Sequence, residues 1–556
     1  MSLPHAAQRL PKAQTRTAMI KRRYTPVSKE LSAACTDELL SWLRAYAERR
    51  INSRLIDERR CIPPYLVLDF ANRGLLGVQV EKKYGGLALS NRDIARILEQ
   101  VAAIDLGLGA WLTTSIFPGI RPIAAFAHDA LKNDVLPQLA RGRILGAYAQ
   151  TETGAGSDFT KLSTRAVPTA NGQWTISGDK VWIGNGSWSG IMTVMANVSH
   201  SDDDSTDMAA FAIRTEQSGV SMGEELLSMG LRGMVQSKIR FQDVQVDESQ
   251  VLGGLADGLL VGVDSMMFTR FALAACANGA MKHCLQLMAR YASRRSIGSG
   301  KLGEHPIFLS QMAELVVKTA IADALLYQVA DLLDSDNPVP LEVFVVCKLV
   351  SSEFLWETAD RLVQVLGSRG YDEANLIPQI LRDARVFRIF EGPTEVLVDF
   401  LGSRALLADS PGVYGFLRRD LSSPEIADKL THCVNDIRAI DWSSRIGITS
   451  NAAHSMRCAL AGDVVAWAFL AASANRPEAR MQQHVSVWAQ SRLDAAIRRA
   501  LTPDANPAAL PSPSELSATI SNYSRDIGVV EQFLSGECLE RDLLLRRATP
   551  RSSEAR

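Results

Sequence analysis

The sequence predicts an α+β protein that is mostly helical, in which a small antiparallel β domain lies between two helical bundles and further helices follow. Two observations support this order. Apolar residues recur at helical spacing before about residue 145 and after about residue 256, whereas from about 150 to 250 they alternate with polar residues. A chain of 556 residues is also long enough to form several domains with separate cores.

The predicted domain boundaries follow these changes of period. The first 29 residues contain seven lysines and arginines and no acidic residue. We interpret residues 1–30 as a disordered basic tail, with a transit peptide as the alternative. The other regions are expected to be an N-terminal helical domain, a central β domain, a four-helix-type bundle and an additional helical domain, at residues 31–147, 148–255, 256–410 and 411–556.

Local patterns predict individual elements within these domains. The apolar spacing in Leu39–Tyr46 is typical of a helix in the first bundle. In the β domain, Trp174–Ile176 and Val181–Ile183 flank Gly178 and Asp179, residue types that favour a tight turn. We therefore expect a β-hairpin at this point. No motif in residues 411–556 indicates chemistry.

Composition excludes several classes of function. The formal net charge is −1, so no overall positive field attracts nucleic acid. The eight cysteines include no CxxC pair, which favours reduced thiols and a cytoplasmic location. The eight histidines show no metal-ligand spacing, so no metal site is predicted. Continuous apolar runs are far shorter than the roughly 20 residues that span a bilayer, so we expect no transmembrane segment.

One glycine motif is a false lead. Gly298, Gly300 and Gly303 match the GxGxxG pattern of dinucleotide-binding folds, which needs a preceding strand and a following helix N-terminus. The stretch before these glycines has a helical period, and Pro306 follows soon after them. We therefore interpret the glycines as a turn that ends a helix.

Three other stretches contain residue types suited to a buried ligand. Residues 148–158 read YAQTETGAGSD, in which glycines allow several backbone N–H groups to approach a polar ring or a phosphate. Residues 181–186 read VWIGNG, and residues 381–395 read LRDARVFRIFEGPTE, with Glu391 between an aromatic residue and a glycine. Taken singly, the first stretch could equally be a plain turn, the tryptophan of the second would by default belong to the core, and charges such as those of the third usually lie on a solvated surface.

Together with residues 364–371 (QVLGSRGY), these stretches resemble the acyl-CoA dehydrogenase family in order and spacing. They are similar to its TEPGAGSD loop, its WITNG strand, and its ILGGxGY and RDAxxxxxYEG segments. The resemblance covers about residues 35–408 almost without gaps, and the helical C-terminal extension is similar to the very-long-chain branch. It implies that FAD lies between the β domain and the second bundle.

The resemblance further implies α,β-dehydrogenation of an acyl thioester, carried by coenzyme A or an acyl carrier protein. The α proton would be removed by a base, and the β hydrogen would leave as hydride to flavin N5. An electron-transfer flavoprotein or oxygen would accept the electrons, and the assembly would be a homodimer in which two subunits complete each FAD site.

Particular residues acquire roles through the same resemblance. Glu391 aligns with the catalytic base of the family. Some members place the base on an earlier helix instead, but the residue at that position here is Thr269, which cannot serve as a base. Arg270 and Ser157 align with contacts to the thioester ligand. The flavin-binding positions correspond to Tyr148, Gln150, Thr151, Gly156, Ser157, Trp182, Ile183, Gly184, Arg295, Gln364, Gly367, Ser368, Pro393 and Glu395. Arg295, Gln364 and Gly367 would reach the FAD of the neighbouring subunit.

Three positions depart from the family pattern. Gly184 replaces a threonine or serine beside flavin N5, which we expect to leave space and to make reduced flavin more accessible to oxygen. Pro393 replaces a residue with an N–H donor. The segment that contains Arg295 is one residue short, so Arg294 is an alternative to Arg295 in its role.

Two alternatives to a dehydrogenase stay open. One is a flavin oxidase or oxygenase of the same fold that acts on a carrier-bound thioester in biosynthesis, and the other is a non-catalytic thioester-binding or scaffold protein. The sequence does not specify the length and branching of the acyl chain, and it does not distinguish a dimer from a tetramer.

Overall fold

The computed structural model describes residues 19–199, 206–407, 410–441, 450–474, 481–502 and 512–528. A short strand, β1 (Met19–Ile20), precedes the first helical bundle. The bundle contains α1 (Lys29–Arg50), α2 (Ser53–Arg59), α3 (Pro64–Asn72), α4 (Asn91–Ile104), α5 (Leu106–Phe126) and α6 (Asp129–Ala140). Helix α5 is apolar and buried on nearly all sides, which is typical of a central core helix.

The segment before α1 is ordered, so the prediction of a disordered tail is wrong for residues 19–30. Strand β1 pairs with a later strand, the Tyr24 hydroxyl donates to the Leu89 carbonyl at 2.6 Å, and Arg23 Nε lies 3.2 Å from Asp264 Oδ1. These partners are distant in sequence, and the basic composition gave no indication of them. Residues 1–18 lie outside the described residues.

The β domain is a single seven-stranded sheet. Its strands are β2 (Leu145–Ala149), β3 (Arg165–Pro168), β4 (Trp174–Gly184), β5 (Ser189–Ser199), β6 (Thr206–Arg214), β7 (Val220–Glu225) and β8 (Gln236–Val246). They are ordered β2-β5-β3-β4-β8-β7, with β6 also paired with β5. Strands β2 and β3 run parallel to β5, so the sheet is mixed. The prediction of an antiparallel sheet is therefore wrong for these strands.

The hairpin predicted at Gly178 and Asp179 is also wrong, because β4 runs unbroken from Trp174 to Gly184. The pairing of β4 with β8 shifts register at Gly178 and again between Lys180 and Ile183. Gly178 has φ +156°, and a Cβ there would lie 2.3 Å from the Thr164 hydroxyl. The glycine therefore permits a bulge and a close approach within one strand.

The second bundle is built on α7 (Gly258–Arg294). A small hairpin of β9 (Ser296–Ile297) and β10 (Gly300–Lys301) follows α7 directly, which confirms that the GxGxxG glycines follow a helix end. The remaining elements are α8 (Pro306–Asp334), β11 (Val339–Pro340), α9 (Leu341–Leu366), α10 (Ser368–Tyr371), α11 (Ile377–Phe387) and α12 (Thr394–Ala405). Strand β11 is the partner of β1.

The C-terminal helices share a core with this bundle. They are α13 (Phe416–Arg419), α14 (Pro424–Ala439), α15 (Ser450–Ser473), α16 (Gln482–Leu501) and α17 (Pro513–Ile527). Helices α12 and α15 approach so closely that a Cβ on Gly402 would lie 1.8 Å from the Cys458 carbonyl oxygen. Trp467 of α15 also contacts Phe354 of α9. The extension is therefore packed against the element that follows Glu391.

Two of the described helices, α7 and α15, are long and apolar enough to cross a membrane by length and composition. The expectation based on continuous apolar runs overlooked them, because isolated polar residues interrupt both helices. Within the fold, 83% and 61% of their most apolar windows are buried. Helix α7 also carries buried Asp264 and Arg270, which have partners in neighbouring elements.

Candidate active site

The loop between α11 and α12, residues 388–393, contains the predicted base in an unusual backbone conformation. Glu391 has φ +53°, and Gly392, the next residue, has φ +100°. The left-handed region is disfavoured for residues other than glycine, so the surroundings must hold Glu391 in place. At Gly392 the conformation and the space both require glycine, because a Cβ would lie 2.6 Å from a Leu397 methyl group and 3.3 Å from Arg270.

Three side chains from two helices hold this loop. Arg270 of α7 donates through Nε to the Glu391 carbonyl at 3.0 Å. Lys348 of α9 donates through Nζ to the Gly392 carbonyl at 2.6 Å. Glu353, also on α9, accepts from Arg388 Nε at 2.8 Å and from the Thr394 hydroxyl, one residue on each side of the turn. Both ends of the loop and its centre are thus fixed to the bundle.

The Glu391 carboxyl group itself is held differently. Its Oε2 atom is buried, and no group in the described part of the chain donates a hydrogen bond to it. Burial raises the pKa of Glu391, while the positive charges of Arg270 and Lys348 oppose that rise. A carboxylate whose pKa is raised and whose oxygen has no donor is suited to accept a proton near neutral pH.

The glycine-rich loop after β2 rests on a buried ion pair. Glu152 accepts hydrogen bonds from the N–H and hydroxyl groups of both Ser163 and Thr164, at 2.5 to 3.0 Å, and from Lys180 Nζ at 2.8 Å. Lys180 also donates to the carbonyls of Gln150 and Met195, at 3.0 and 2.8 Å. These bonds join the start of the loop to strands β4 and β5.

Beyond Glu152 the loop is open. A Cβ on Gly154 or Gly156 would meet nothing within 4 Å, and Ser157 is exposed. On the protein side, the Tyr148 hydroxyl donates to Gln150 Oε1 at 2.7 Å, and burial raises the pKa of this phenol. Thr151 is half-buried and accepts the N–H of Val181 through its carbonyl at 2.9 Å. A ligand can therefore approach the backbone of this loop without steric hindrance.

Trp182 is displayed by an irregularity in β4. The register shift between Lys180 and Ile183 gives Trp182 φ +60° and leaves its side chain 55% exposed, while Ile183 is buried. Bulges of this kind redirect a side chain beside a functional site. Large aromatic rings are normally covered, so this one offers a flat surface to a ligand ring. The core interpretation of Trp182 is wrong.

Gly184 does not leave open space. A Cβ there would lie 2.7 Å from the terminal methyl group of Met234 and 3.0 Å from the Thr114 methyl group. The expectation that a missing side chain admits oxygen beside the flavin is therefore wrong in its physical premise. The neighbouring residue, Asn185, has φ +60° and donates to the Ser115 hydroxyl at 2.9 Å, which fixes the strand end against α5.

The residues expected to act across a subunit boundary lie on the surface. Arg295 is exposed at the end of α7, and Gln364, Gly367 and Ser368 are exposed where α9 ends. Gly367 has φ +59° and open space around its Cα. In the described residues, none of the four hydrogen-bonds to the groups around Glu391.

Pro393 and Glu395 flank the start of α12, one at its N-cap and the other, exposed, in its first turn. Their predicted contact with the flavin stays a prediction. Sequence reasoning missed the support of the site, namely Lys348, Glu353, Lys180 and Met234. An isolated lysine inside an apolar helical pattern was the one available signal for Lys348, and a core position for it is unusual unless it is paired.

Three models of the acyl-CoA dehydrogenase family match consecutive parts of the chain. The N-terminal domain model matches residues 35–143, the middle domain model residues 147–244 and the C-terminal domain model residues 256–406. These ranges coincide with the first bundle, the sheet and the second bundle. The chain belongs to the acyl-CoA dehydrogenase family.

Individual relatives agree with this result. The chain is 30% identical over 330 residues to the very long-chain specific acyl-CoA dehydrogenase of Mus musculus. The aligned region covers 58% of this chain and 50% of that protein. The chain thus spans about half the length of the curated relatives it matches. Butyryl-CoA dehydrogenase from Megasphaera elsdenii has 25% identity and a TM-score of 0.64, and the match covers 67% of this chain and 98% of that one.

The extension after residue 410 also has a structural counterpart. An acyl-CoA dehydrogenase from Bacillus anthracis, solved in complex with FAD, matches with a TM-score of 0.68 over 90% of this chain and 92% of its own. At 21% identity the likeness concerns the fold alone. It extends the shared architecture beyond the three matched domains.

Proposed function

We propose that the protein is an FAD enzyme that removes hydrogen from the α and β carbons of an acyl thioester, with Glu391 as the α-proton base. The observation that supports this most strongly concerns Glu391. Its Oε2 atom is buried and receives no hydrogen bond from the described residues, and its backbone is fixed in a strained conformation by two helices. A group held in this way is arranged for chemistry rather than for stability.

The described residues fit FAD. The open backbone at Gly154 and Gly156 suits the approach of a polar ring or phosphate, and the exposed ring of Trp182 suits stacking on an isoalloxazine. In the family arrangement, Tyr148, Gln150, Thr151, Ser157, Ile183 and Gly184 would hold the flavin from the sheet. When bound, FAD would accept the β hydrogen as hydride.

The chain's own residues would supply the proton chemistry. Glu391 Oε2 would take the α proton, and the Glu391 backbone N–H would donate to the thioester oxygen and stabilise its developing charge. Arg270 contributes by holding the Glu391 carbonyl, and its charge favours the ionised carboxylate. Arg270 and Ser157 would also border the thioester itself.

An anaerobic titration tests this proposal. Purified protein is expected to be yellow, and addition of a suitable acyl thioester without oxygen should bleach the flavin. A panel of acyl-CoAs of different chain length and branching, compared with the same acyl groups on an acyl carrier protein, would define the substrate. Colourless protein that cannot be loaded with FAD would favour the scaffold alternative, and rapid peroxide release in air would favour the oxidase.

We also propose a homodimer in which Arg295, Gln364, Gly367 and Ser368 contact the FAD of the partner subunit. Their exposure at two helix ends supports this, because a fixed guanidinium fork suits a pyrophosphate and Arg295 has no anionic partner among the described residues. Arg295→Ala should release FAD on dilution, whereas Arg290→Ala, at another exposed arginine of α7, should not. Equal FAD retention by both variants would contradict the shared site. We also propose that an electron-transfer flavoprotein or oxygen accepts the electrons of the reduced flavin.

A further inference from the structure

Lys348 is a lysine in an environment where lysines are rarely found. It lies in the middle of α9 and is 1% exposed. Its neighbours along the buried face of the helix are the apolar Phe344, Val345 and Leu355 together with the small polar Ser351 and Ser352. In the described part of the chain its one hydrogen-bond acceptor is the Gly392 carbonyl, at 2.6 Å. Burial disfavours an ammonium group, so a lysine at this position lowers the stability of the fold. Its presence there indicates a functional role.

The position of that bond indicates the task. Gly392 follows Glu391, and both residues have positive φ. The backbone between them is therefore held at two successive carbonyls, by Arg270 at Glu391 and by Lys348 at Gly392. If either bond were lost, the turn could relax toward ordinary φ values, and the Glu391 carboxyl group would rotate out of its place.

Charged groups from every adjoining element face Lys348. They are Arg270 of α7, Glu353 of its own helix, Glu391 of the loop and Glu395 of α12. Burial and the nearby charge of Arg270 lower the pKa of Lys348, the three carboxylates oppose both effects, and the resulting pKa is about 7. Conversely, the positive charge of Lys348 lowers the pKa of Glu391. Each charge therefore favours the ionised form of the other group.

We propose that Lys348 is a positioning residue for Glu391, which fixes the strained turn through the Gly392 carbonyl and keeps the carboxylate ionised through its charge. The inference rests on the proposed role of Glu391 as base. It assigns two separable functions to one side chain, a donor function and a charge function, and these can be removed one at a time.

Two variants separate the functions. Lys348→Gln keeps a donor for the Gly392 carbonyl and removes the charge, whereas Lys348→Met removes both. Lys318→Met serves as the control, because Lys318 is a buried lysine on α8 whose partners are Glu314 and Glu357, away from the loop. The readout is the rate of anaerobic flavin reduction by the acyl thioester identified above, measured as a function of pH in FAD-loaded protein.

Both Lys348 variants should move the acidic limb of the pH profile to higher pH, because loss of a nearby positive charge raises the pKa of Glu391. Lys348→Met should also slow reduction at the optimum, on the order of 10-fold or more, as expected for a displaced catalytic group. Lys348→Gln should lose less at the optimum. Lys318→Met should keep the wild-type profile, whatever its effect on thermal stability.

An unshifted acidic limb in either FAD-loaded variant would overturn the proposal. If Lys348→Met does not fold, Lys348→Gln alone decides the result through the position of this limb. Glu391→Gln, measured in parallel, distinguishes a failure of the proposed base from a failure of the proposed role of Lys348. Wild-type reduction by Glu391→Gln would refute the proposed base, whereas slow reduction by Glu391→Gln with wild-type profiles in both Lys348 variants would refute only the role of Lys348.

Discussion

Two glutamates, Glu152 and Glu391, lie in the two loops of the site, and their carboxyl groups have opposite surroundings. Glu152 accepts hydrogen bonds from Lys180, Ser163 and Thr164. Burial alone would raise its pKa, but these bonds outweigh burial and lower the pKa of Glu152 to about 2. Glu391 has a buried oxygen without a donor, and burial raises its pKa.

This difference in hydrogen bonding distinguishes a carboxylate that supports the structure from one that can take up a proton. A carboxylate that is surrounded by donors has no free oxygen with which to take a proton, and its ionised form is strongly stabilised. Glu152 is therefore suited to fix the glycine-rich loop. Glu391 remains available to a substrate because its anchoring bonds are made by its backbone and not by its side chain.

The largest expected effect is that of Glu391→Gln on flavin reduction. Glutamine preserves the shape of the side chain but cannot accept a proton at neutral pH. Bleaching by the acyl thioester should slow by about 10²–10⁴-fold, the usual contribution of a general base. Stopped-flow absorbance of the anaerobic flavin measures this rate.

FAD content and thioester binding provide the control for this variant. Both should stay at the wild-type level, because in the described part of the chain the loop is held through the Glu391 and Gly392 carbonyls and not through the Glu391 carboxylate. Loss of flavin from Glu391→Gln would instead indicate a structural role, and the contrast with Glu152 would fail.

Glu152→Gln is expected to affect stability rather than chemistry. The substitution leaves Lys180 as a buried cation without its counter-charge, a change that typically costs about 3–5 kcal/mol. We expect earlier unfolding in denaturant and weaker FAD retention. In molecules that keep FAD, flavin reduction should proceed at nearly the wild-type rate.

A double variant checks that the ion pair is responsible. Glu152→Gln combined with Lys180→Met removes both charges, so it should be less destabilised than the sum of the single variants. Simple additivity would mean that the two side chains act independently, despite their 2.8 Å separation.

The opposite pKa shifts also predict a pH window. The stabilising effect of Glu152 is present above its unfolded pKa of 4.5 and is lost only as pH falls toward about 2. Glu391, with a raised pKa, becomes protonated at a higher pH than 4.5. Just above pH 4.5 the protein should therefore keep its fold and FAD while flavin reduction is already suppressed. Circular dichroism and reduction rates on the same samples would show whether the two losses are separated.

The sequence predicted the order of bundle, sheet and bundle, because amphipathic periodicity is a local property. It failed where distant residues decide local structure. Gly178 and Asp179 have turn chemistry, but pairing of β4 with β8 keeps that strand continuous. The segment around Tyr24 has the basic composition from which disorder was predicted, but it packs on partners such as Leu89 that lie far along the chain.

The candidate site shows the same division. Glu391 and Trp182 were found because each stands inside a recognisable motif. Lys348 was not, because its role depends on the contact between α9 and a loop more than forty residues later. The filled space beside Gly184 was also missed, since Met234 reaches it from another part of the chain. Motifs thus predicted the groups that we propose to contact ligands, whereas packing determines the groups that would position them.

The smallest expected effect is that of Ser163→Ala, which removes one of the several donors to Glu152. The Ser163 hydroxyl donates to Glu152 Oε2 at 2.5 Å, but the Ser163 N–H, at 2.6 Å, is retained in the variant. A hydrogen bond to a charged group contributes about 1.5–3 kcal/mol, and we expect the lower end, because Ser163 is exposed and water can replace the hydroxyl. Ser221→Ala, at an exposed serine of the same sheet, is the control and should be nearly neutral. Denaturant unfolding of the two variants measures the difference.

A loss for Ser163→Ala as large as that for Glu152→Gln would mean that the donors act as one unit, in which removal of any member undoes the whole cluster. Glu152 would then be held less securely than its many hydrogen bonds suggest, and the contrast with Glu391 would depend on the Lys180 charge alone.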